Sequence, residues 1–140
     1  MTGIIIKLKK IVSQFRGYHS IKFEGYKFKT NHENKSFWKI VEKGAWEPET
    51  FKILSHYLKP DSFYLDIGAW IGPTVLYASK KCKKVICFEP DPIAFRRLLT
   101  NLELNKIENV MPYNIAISNQ TSIQRMASIN GGELGGSITS

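Results

Sequence analysis

Two carboxylates and two glycines, Asp66, Glu89, Gly68 and Gly72, are placed in this chain as a ligand-binding loop would need them. Asp66 follows the apolar run Phe63-Tyr64-Leu65, and Gly68 and Gly72 come after it with three residues between them. Glu89 closes a second apolar run, Val85-Ile86-Cys87-Phe88. It lies roughly twenty residues past the glycine loop, where a doubly wound fold sets a carboxylate on ribose hydroxyls. The dinucleotide fingerprint is Gly-x-Gly-x-x-Gly, with glycines facing an anionic pyrophosphate. The pattern here is Asp-x-Gly-x-x-x-Gly. A carboxylate at the strand tip would repel a pyrophosphate and favour a ligand carrying an ammonium. An acid for an amine at one strand tip and an acid for a ribose at the next together suit S-adenosyl-L-methionine.

These side chains need a strand, a tight loop and a helix to hold them. Phe63 to Ile67 reads as a buried strand that is apolar on both faces and belongs in the middle of a sheet. Gly68 permits a turn that a side chain would forbid. Gly72 lets the helix start approach the strand and leaves bare backbone for a ligand. Pro73 suits a first helical position, ahead of Val75-Leu76-Tyr77-Ala78. The first-turn N–H groups then point at whatever sits above the strand.

Five stretches carry a family resemblance in order and spacing: Trp46-Glu47-Pro48-Glu49-Thr50, Leu65-Asp66-Ile67-Gly68-Ala69-Trp70-Ile71-Gly72, Phe88-Glu89-Pro90-Asp91-Pro92, Asn101-Leu102-Glu103-Leu104-Asn105 and Asn114-Ile115-Ala116-Ile117-Ser118. From Trp46 onward the chain resembles the FkbM-type S-adenosylmethionine-dependent methyltransferases. It departs from that pattern at Trp70, where the family usually has a small polar residue, and at Pro73, often an aromatic there. The resemblance implies a Rossmann-like α/β fold and methyl transfer to a hydroxyl of a sugar, lipid or polyketide-like small molecule. It implies cofactor contacts from Glu47, Asp66, Gly68, Ala69, Trp70, Gly72, Glu89, Pro90 and Ala116. The backbone after Asn114-Ile115-Ala116 would lie near an adenine edge. No residue is nominated as general base.

Charge divides the chain unevenly. Of its 140 residues, 1–60 hold twelve Lys/Arg against five Asp/Glu, and the remainder holds eight against seven. Nearly all of the formal +8 therefore sits in the N-terminal segment. There, Ile4, Leu8, Ile11, Val12 and Phe15 share one helical face, with Lys7, Lys9, Lys10 and Arg16 around it. Such a basic amphipathic helix either docks on the domain or lies on an anionic membrane surface. Aromatics interleaved with lysines from Tyr18 to Phe37 could stack on bases. No RNA or DNA motif accompanies them, and no specific nucleic-acid partner is expected. Cys82 and Cys87 give neither a disulfide framework nor metal-ligand spacing, and the three histidines are unpaired in sequence. No apolar run reaches membrane-spanning length, and lysines interrupt the N-terminal apolar stretch where a secretory signal would stand. A reducing cytoplasm is the expected compartment, with peripheral membrane attachment if the basic helix lies on lipid.

The remaining elements follow from local pattern. Ile21-Lys22-Phe23-Glu24 and Tyr26-Lys27-Phe28-Lys29 flank Gly25 as a small hairpin. Phe37 to Lys43 reads as a helical turn or two. Pro48 opens a helix with Phe51, Leu54 and Leu58 on one face, with Trp46 either at the pocket edge or a packing residue. Asp91 caps the next helix with Pro92 at its first position; Phe95, Leu98, Leu99 and Leu102 form its buried face. Val110 to Ile117 reads as a third strand, and the glycine-rich tail from Ser118 holds one short strand around Ile123. The order β-α-β-α-β predicts a parallel sheet with strand order 3-2-1 and an N-terminal α+β extension. Residues 1–45 read as that extension and 46–140 as a partial cofactor-binding domain. Further strands would be expected beyond the first; without them its unpaired edge invites self-association.

Three functions fit these features. A methyltransferase, represented by its cofactor-binding half, comes first. A nicotinamide-dependent oxidoreductase is disfavoured by Asp66 and the glycine spacing. An inactive module that uses its basic N-terminus on a membrane or acidic partner is the non-enzyme alternative.

Overall fold

The computed structural model describes residues 17–121 and the backbone of 126–128 and 137–139. The expected N-terminal helix and the short strand around Ile123 lie outside the described residues. Strands β1 (Tyr18–Phe23) and β2 (Tyr26–Asn31) form an antiparallel hairpin. Its turn is Glu24-Gly25, both at positive φ, as two-residue hairpin turns require. Period-two alternation buries Ile21, Phe23, Phe28 and Thr30 and leaves the lysines outside. Helix α1 (Lys35–Glu42) then buries Trp38 and Val41. It starts two residues before the expected Phe37, because a short 3-10 turn, His32–Asn34, feeds directly into it.

The second half follows the expected alternation. Helix α2 (Pro48–Tyr57) leads to β3 (Phe63–Ile67), α3 (Pro73–Ser79), β4 (Lys84–Phe88), α4 (Pro92–Leu104) and β5 (Val110–Tyr113). The three strands are parallel in the order β3-β4-β5, the 3-2-1 topology of a Rossmann-like α/β half-sheet. Val85 and Cys87 of β4 join Val75, Leu76 and Leu98 in the core. On α4 the buried positions are Ala94, Leu98, Asn101 and Leu102, while Phe95 and Leu99 are half-buried. Beyond it, β6 (Met126–Ser128) and β7 (Ser137–Thr139) pair antiparallel with each other. Among the described residues no helix is long and apolar enough to cross a membrane.

Two expectations need correction. Strand β3 is not buried on both faces: Phe63, Leu65 and Ile67 are exposed, and only Asp66 is buried. One face of the sheet and one edge of β3 carry no described element, so the alternate side chains face outward. Strand β5 ends at Tyr113 rather than Ile117. Asn114 stops it, because its side-chain Nδ2 donates to Glu89 O at 2.7 Å and Pro90 O at 3.1 Å.

The hairpin and the sheet share one core. Phe23 meets Phe51 edge-on at 5.7 Å, and Tyr26 meets Tyr77 at 6.2 Å. Polar bolts reinforce that packing. Asn105 holds both backbone groups of Lys29, accepting from its N–H at 2.8 Å and donating to its carbonyl at 2.7 Å. Fully buried Asn101 accepts from the Asn31 N–H at 2.7 Å and donates to Ile71 O at 2.8 Å. A single side chain on α4 thus joins β2 to the glycine loop.

Candidate functional site at the strand tips

The loop between β3 and α3 folds over the end of β4. Gly68 and Ala69 both donate their N–H to Phe88 O, at 2.9 and 3.0 Å. The two glycines have different jobs. Both sit at φ near +85°, a region that L side chains rarely adopt. A Cβ on Gly68 would meet nothing within 4 Å, so this position borders open space. A Cβ on Gly72 would lie 2.5 Å from Leu98 Cδ1, so the absent side chain lets the loop seat against α4. The close approach expected at Gly72 is therefore to the next helix. Pro73 occupies the start of α3, and Asp91 Oδ1 caps α4 through the N–H groups of Ile93 and Ala94 at 2.8 and 3.0 Å.

Asp66 and Glu89 sit at neighbouring strand ends and both are buried. Asp66 Oδ2 accepts from Thr74 Oγ1 at 2.5 Å, and the Tyr64 side chain also hydrogen-bonds to it. Burial lifts the Asp66 carboxyl above its ordinary range, and the Glu47 carboxylate adds to the rise. Glu89 accepts from two backbone N–H groups, Trp70 at 2.7 Å and Asp91 at 2.8 Å. Those bonds favour its charged form, yet burial outweighs them and raises Glu89 too, with Asp91 and Asp66 contributing. Beneath them Cys87 is pushed up to about 12 by burial and by the same two carboxylates, which makes it an inert thiol.

The other candidate residues surround this pair unequally. Ala69 is buried in the loop. Trp70, at φ +50°, is half-buried with its ring 4.5 Å from Phe37. Trp46, half-buried, packs on Phe37 at 5.3 Å and Phe51 at 5.9 Å. Glu47 is exposed at the start of α2, in left-handed geometry, and accepts from Thr50 Oγ1 at 3.2 Å. The Pro90 carbonyl is held by Asn114. Ala116 lies past Asn114, exposed, and is not brought against the carboxylates by any described hydrogen bond. Sequence assigns no site role to Thr74 or Tyr64, and names Asn114 only as the head of the stretch near an adenine edge. Their signal is faint: a hydroxyl in the first turn after the loop, a tyrosine two residues before the acid, an asparagine at a strand end.

Chemically, the arrangement is a pair of buried acids at adjoining strand ends. Among the described residues neither Asp66 nor Glu89 has an ion-pair partner, and no cluster of His, Cys, Asp and Glu is arranged to hold a metal. Carboxylates in this state are stabilised by hydroxyl donors or by a positive ligand. Glu89 keeps spare lone pairs after its two backbone bonds, because each carboxylate oxygen accepts more than once.

No protein-family model matches the chain. Among solved structures it is similar to a putative transferase from Pyrococcus horikoshii, at 30% identity over 71% of this chain and 37% of that one, TM-score 0.49. It is similar to M. jannaschii TYW2, crystallised in complex with AdoMet, at 27% identity over 69% and 42%, TM-score 0.48. A putative methyltransferase from Streptococcus mutans, in complex with SAH, matches at 25% identity over 49% and 39%, TM-score 0.48. The chain spans about two fifths of the length of each of these structures.

Proposed function

We propose that this chain binds S-adenosylmethionine and forms the cofactor-binding half of a methyltransferase of the FkbM type, acting on a hydroxyl of a small-molecule acceptor. The observation that carries the reading is the Asp66/Glu89 pair: two buried acids at adjoining strand tips, across a glycine loop, with no ion-pair partner among the described residues. The donor set fits the group. Glu89 would take the ribose hydroxyls on the lone pairs that Trp70 and Asp91 leave free. Asp66, fixed by Thr74 and Tyr64, would face the amino end of the ligand. Gly68 would clear the space its missing Cβ leaves open. When bound, the cofactor supplies an electrophilic methyl on a positively charged sulfur. The chain's contribution is to orient it, and catalysis of this kind rests mainly on holding nucleophile and methyl in line.

Isothermal titration of the full chain with S-adenosylmethionine, its demethylated product and NAD tests this. The expected result is binding of the first two in preference to NAD. Preferential NAD binding would replace the reading with the nicotinamide alternative, and binding of none would leave neither. Glu89→Gln should weaken S-adenosylmethionine about 10- to 100-fold, the cost of a charge-assisted hydrogen bond. The basic segment 1–16 is proposed to hold the protein on anionic membrane. Co-sedimentation with anionic vesicles should then fall with salt and with neutralisation of Lys7, Lys9 and Lys10.

A further inference from the structure

We propose that Phe37, Trp46 and Trp70 form an aromatic wall that recognises the positively charged sulfur of S-adenosylmethionine, so that the site prefers this ligand to its neutral demethylated product. The inference rests on the cofactor reading above and adds three residues and a charge preference to it. A closed circuit of contacts outlines the space. Trp70 N–H donates to Glu89 Oε2 at 2.7 Å. The Trp70 ring stands nearly perpendicular to Phe37 at 4.5 Å, and Phe37 meets Trp46 edge-on at 5.3 Å. Trp46 is followed by Glu47, whose carboxylate acts on Asp66. Asp66 pairs in register with Cys87, two residues before Glu89. Gly68, on the segment from Asp66 to Trp70, borders open space, since a Cβ there would meet nothing within 4 Å.

The chemistry of this circuit suits a cation of one kind. The sulfur of the cofactor is bonded to the ribose-bearing carbon on one side and to the amino-acid chain on the other. With the ribose at Glu89 and the amine at Asp66, the sulfur comes between them, beside the loop that joins the two. A sulfonium has no N–H or O–H to donate, so a carboxylate cannot hold it by a hydrogen bond. An aromatic face attracts such a cation through the ring quadrupole within about 6 Å of the centroid, and indole does so best. The backbone adds a second observation. Trp70 has φ +50°, a region that bulky residues rarely adopt. Residues held this way persist where the structure around them over-determines them, and they cluster at ligand clamps. Glu47, at φ +41°, is another on the same circuit; the remaining two among the described non-glycine residues, Glu24 and Lys106, lie in the hairpin turn and after α4. Fully buried Trp38 backs Phe37 at 5.3 Å and fixes the wall to the hairpin core.

The test is isothermal titration of the full chain with S-adenosylmethionine and with its demethylated product, read as the ratio of the two dissociation constants. Both ligands carry the same ribose and amine, so the ratio isolates the charge on sulfur. A merely structural loss in a variant moves both constants together. Wild type should prefer S-adenosylmethionine about 10-fold. Trp70→Leu should bring the ratio to within about 2-fold of one, whereas Trp70→Phe, which keeps a ring face, should retain most of the preference. An unmoved ratio in Trp70→Leu overturns the wall and leaves the cofactor reading in place, and so does a wild type that binds the product as tightly. Binding of neither ligand overturns both. If Trp70→Leu does not fold, the wild-type chain still decides through its indole fluorescence. Saturating S-adenosylmethionine should quench it more than the saturating product does, and equal quenching overturns the proposal.

Discussion

The backbone N–H of Trp70 donates to Glu89 Oε2 at 2.7 Å, so the carboxylate proposed to hold a ribose already holds the loop that would surround it. Its other oxygen accepts from Asp91 N–H at 2.8 Å, tying the start of α4 to the same side chain. Glu89 is at once a candidate ligand contact and the clasp between two loops.

That double duty separates two substitutions. Glu89→Ala removes both acceptors, and each stranded N–H costs about 1–3 kcal/mol. Urea unfolding should show a loss of about 2–4 kcal/mol, with binding lost as well. Glu89→Gln keeps one acceptor oxygen, so its stability should fall by half that or less while its binding defect persists. Equal stability for Ala and wild type would mean that the clasp contributes nothing.

The glycines should respond in opposite ways. Gly72→Ala places a methyl against Leu98 Cδ1 and strains φ, and should cost more than ~2 kcal/mol of stability. Trimming Leu98 to Ala in the Gly72→Ala background should relieve the clash and show up as coupling in a double-mutant cycle. Gly68→Ala meets no neighbour, so only the φ penalty of about 1–2 kcal/mol applies. Its larger effect should be on ligand binding, read by titration calorimetry.

Asn101→Ala should be among the most damaging polar substitutions. It leaves the Asn31 N–H and the Ile71 carbonyl without their partner, at about 2–4 kcal/mol together. Asn101→Asp keeps the acceptor for Asn31 but loses the donor to Ile71, and should not restore stability. Equilibrium unfolding of the three chains checks both statements.

Stability should fall as pH rises out of the acid range, because Asp66 and Glu89 lie above their ordinary values of 3.8 and 4.5 in the folded chain. Well below those values both groups are protonated in both states and add no pH dependence. As pH rises past them the unfolded chain ionises first and is favoured; above the folded values the loss levels off. Asp66→Asn removes one of the two contributions and keeps an acceptor for Thr74. It should be more stable than wild type near about pH 7 and equal to it near about pH 3. A variant less stable than wild type at neutral pH would show that the charged form is favoured in the fold.

The features legible from residue order are local. The hairpin around Gly25, the Asp91 cap with Pro92, the helix at Pro48 and the strand-loop-helix at Asp66 all depend on residues a few positions apart. Period and turn chemistry therefore made them readable. The 3-2-1 order followed because short connections in a β-α-β-α-β chain leave few alternatives. Contacts across long separations emerge only from the folded chain. Asn101 pairs with residues 30 and 70 positions away. Gly72 answers to Leu98 in the next helix, and Glu89 spends its oxygens on Trp70 and Asp91. The outward face of β3 was misread for the same reason. An apolar residue carries no record of which neighbour covers it, and burial is settled by the elements that pack there.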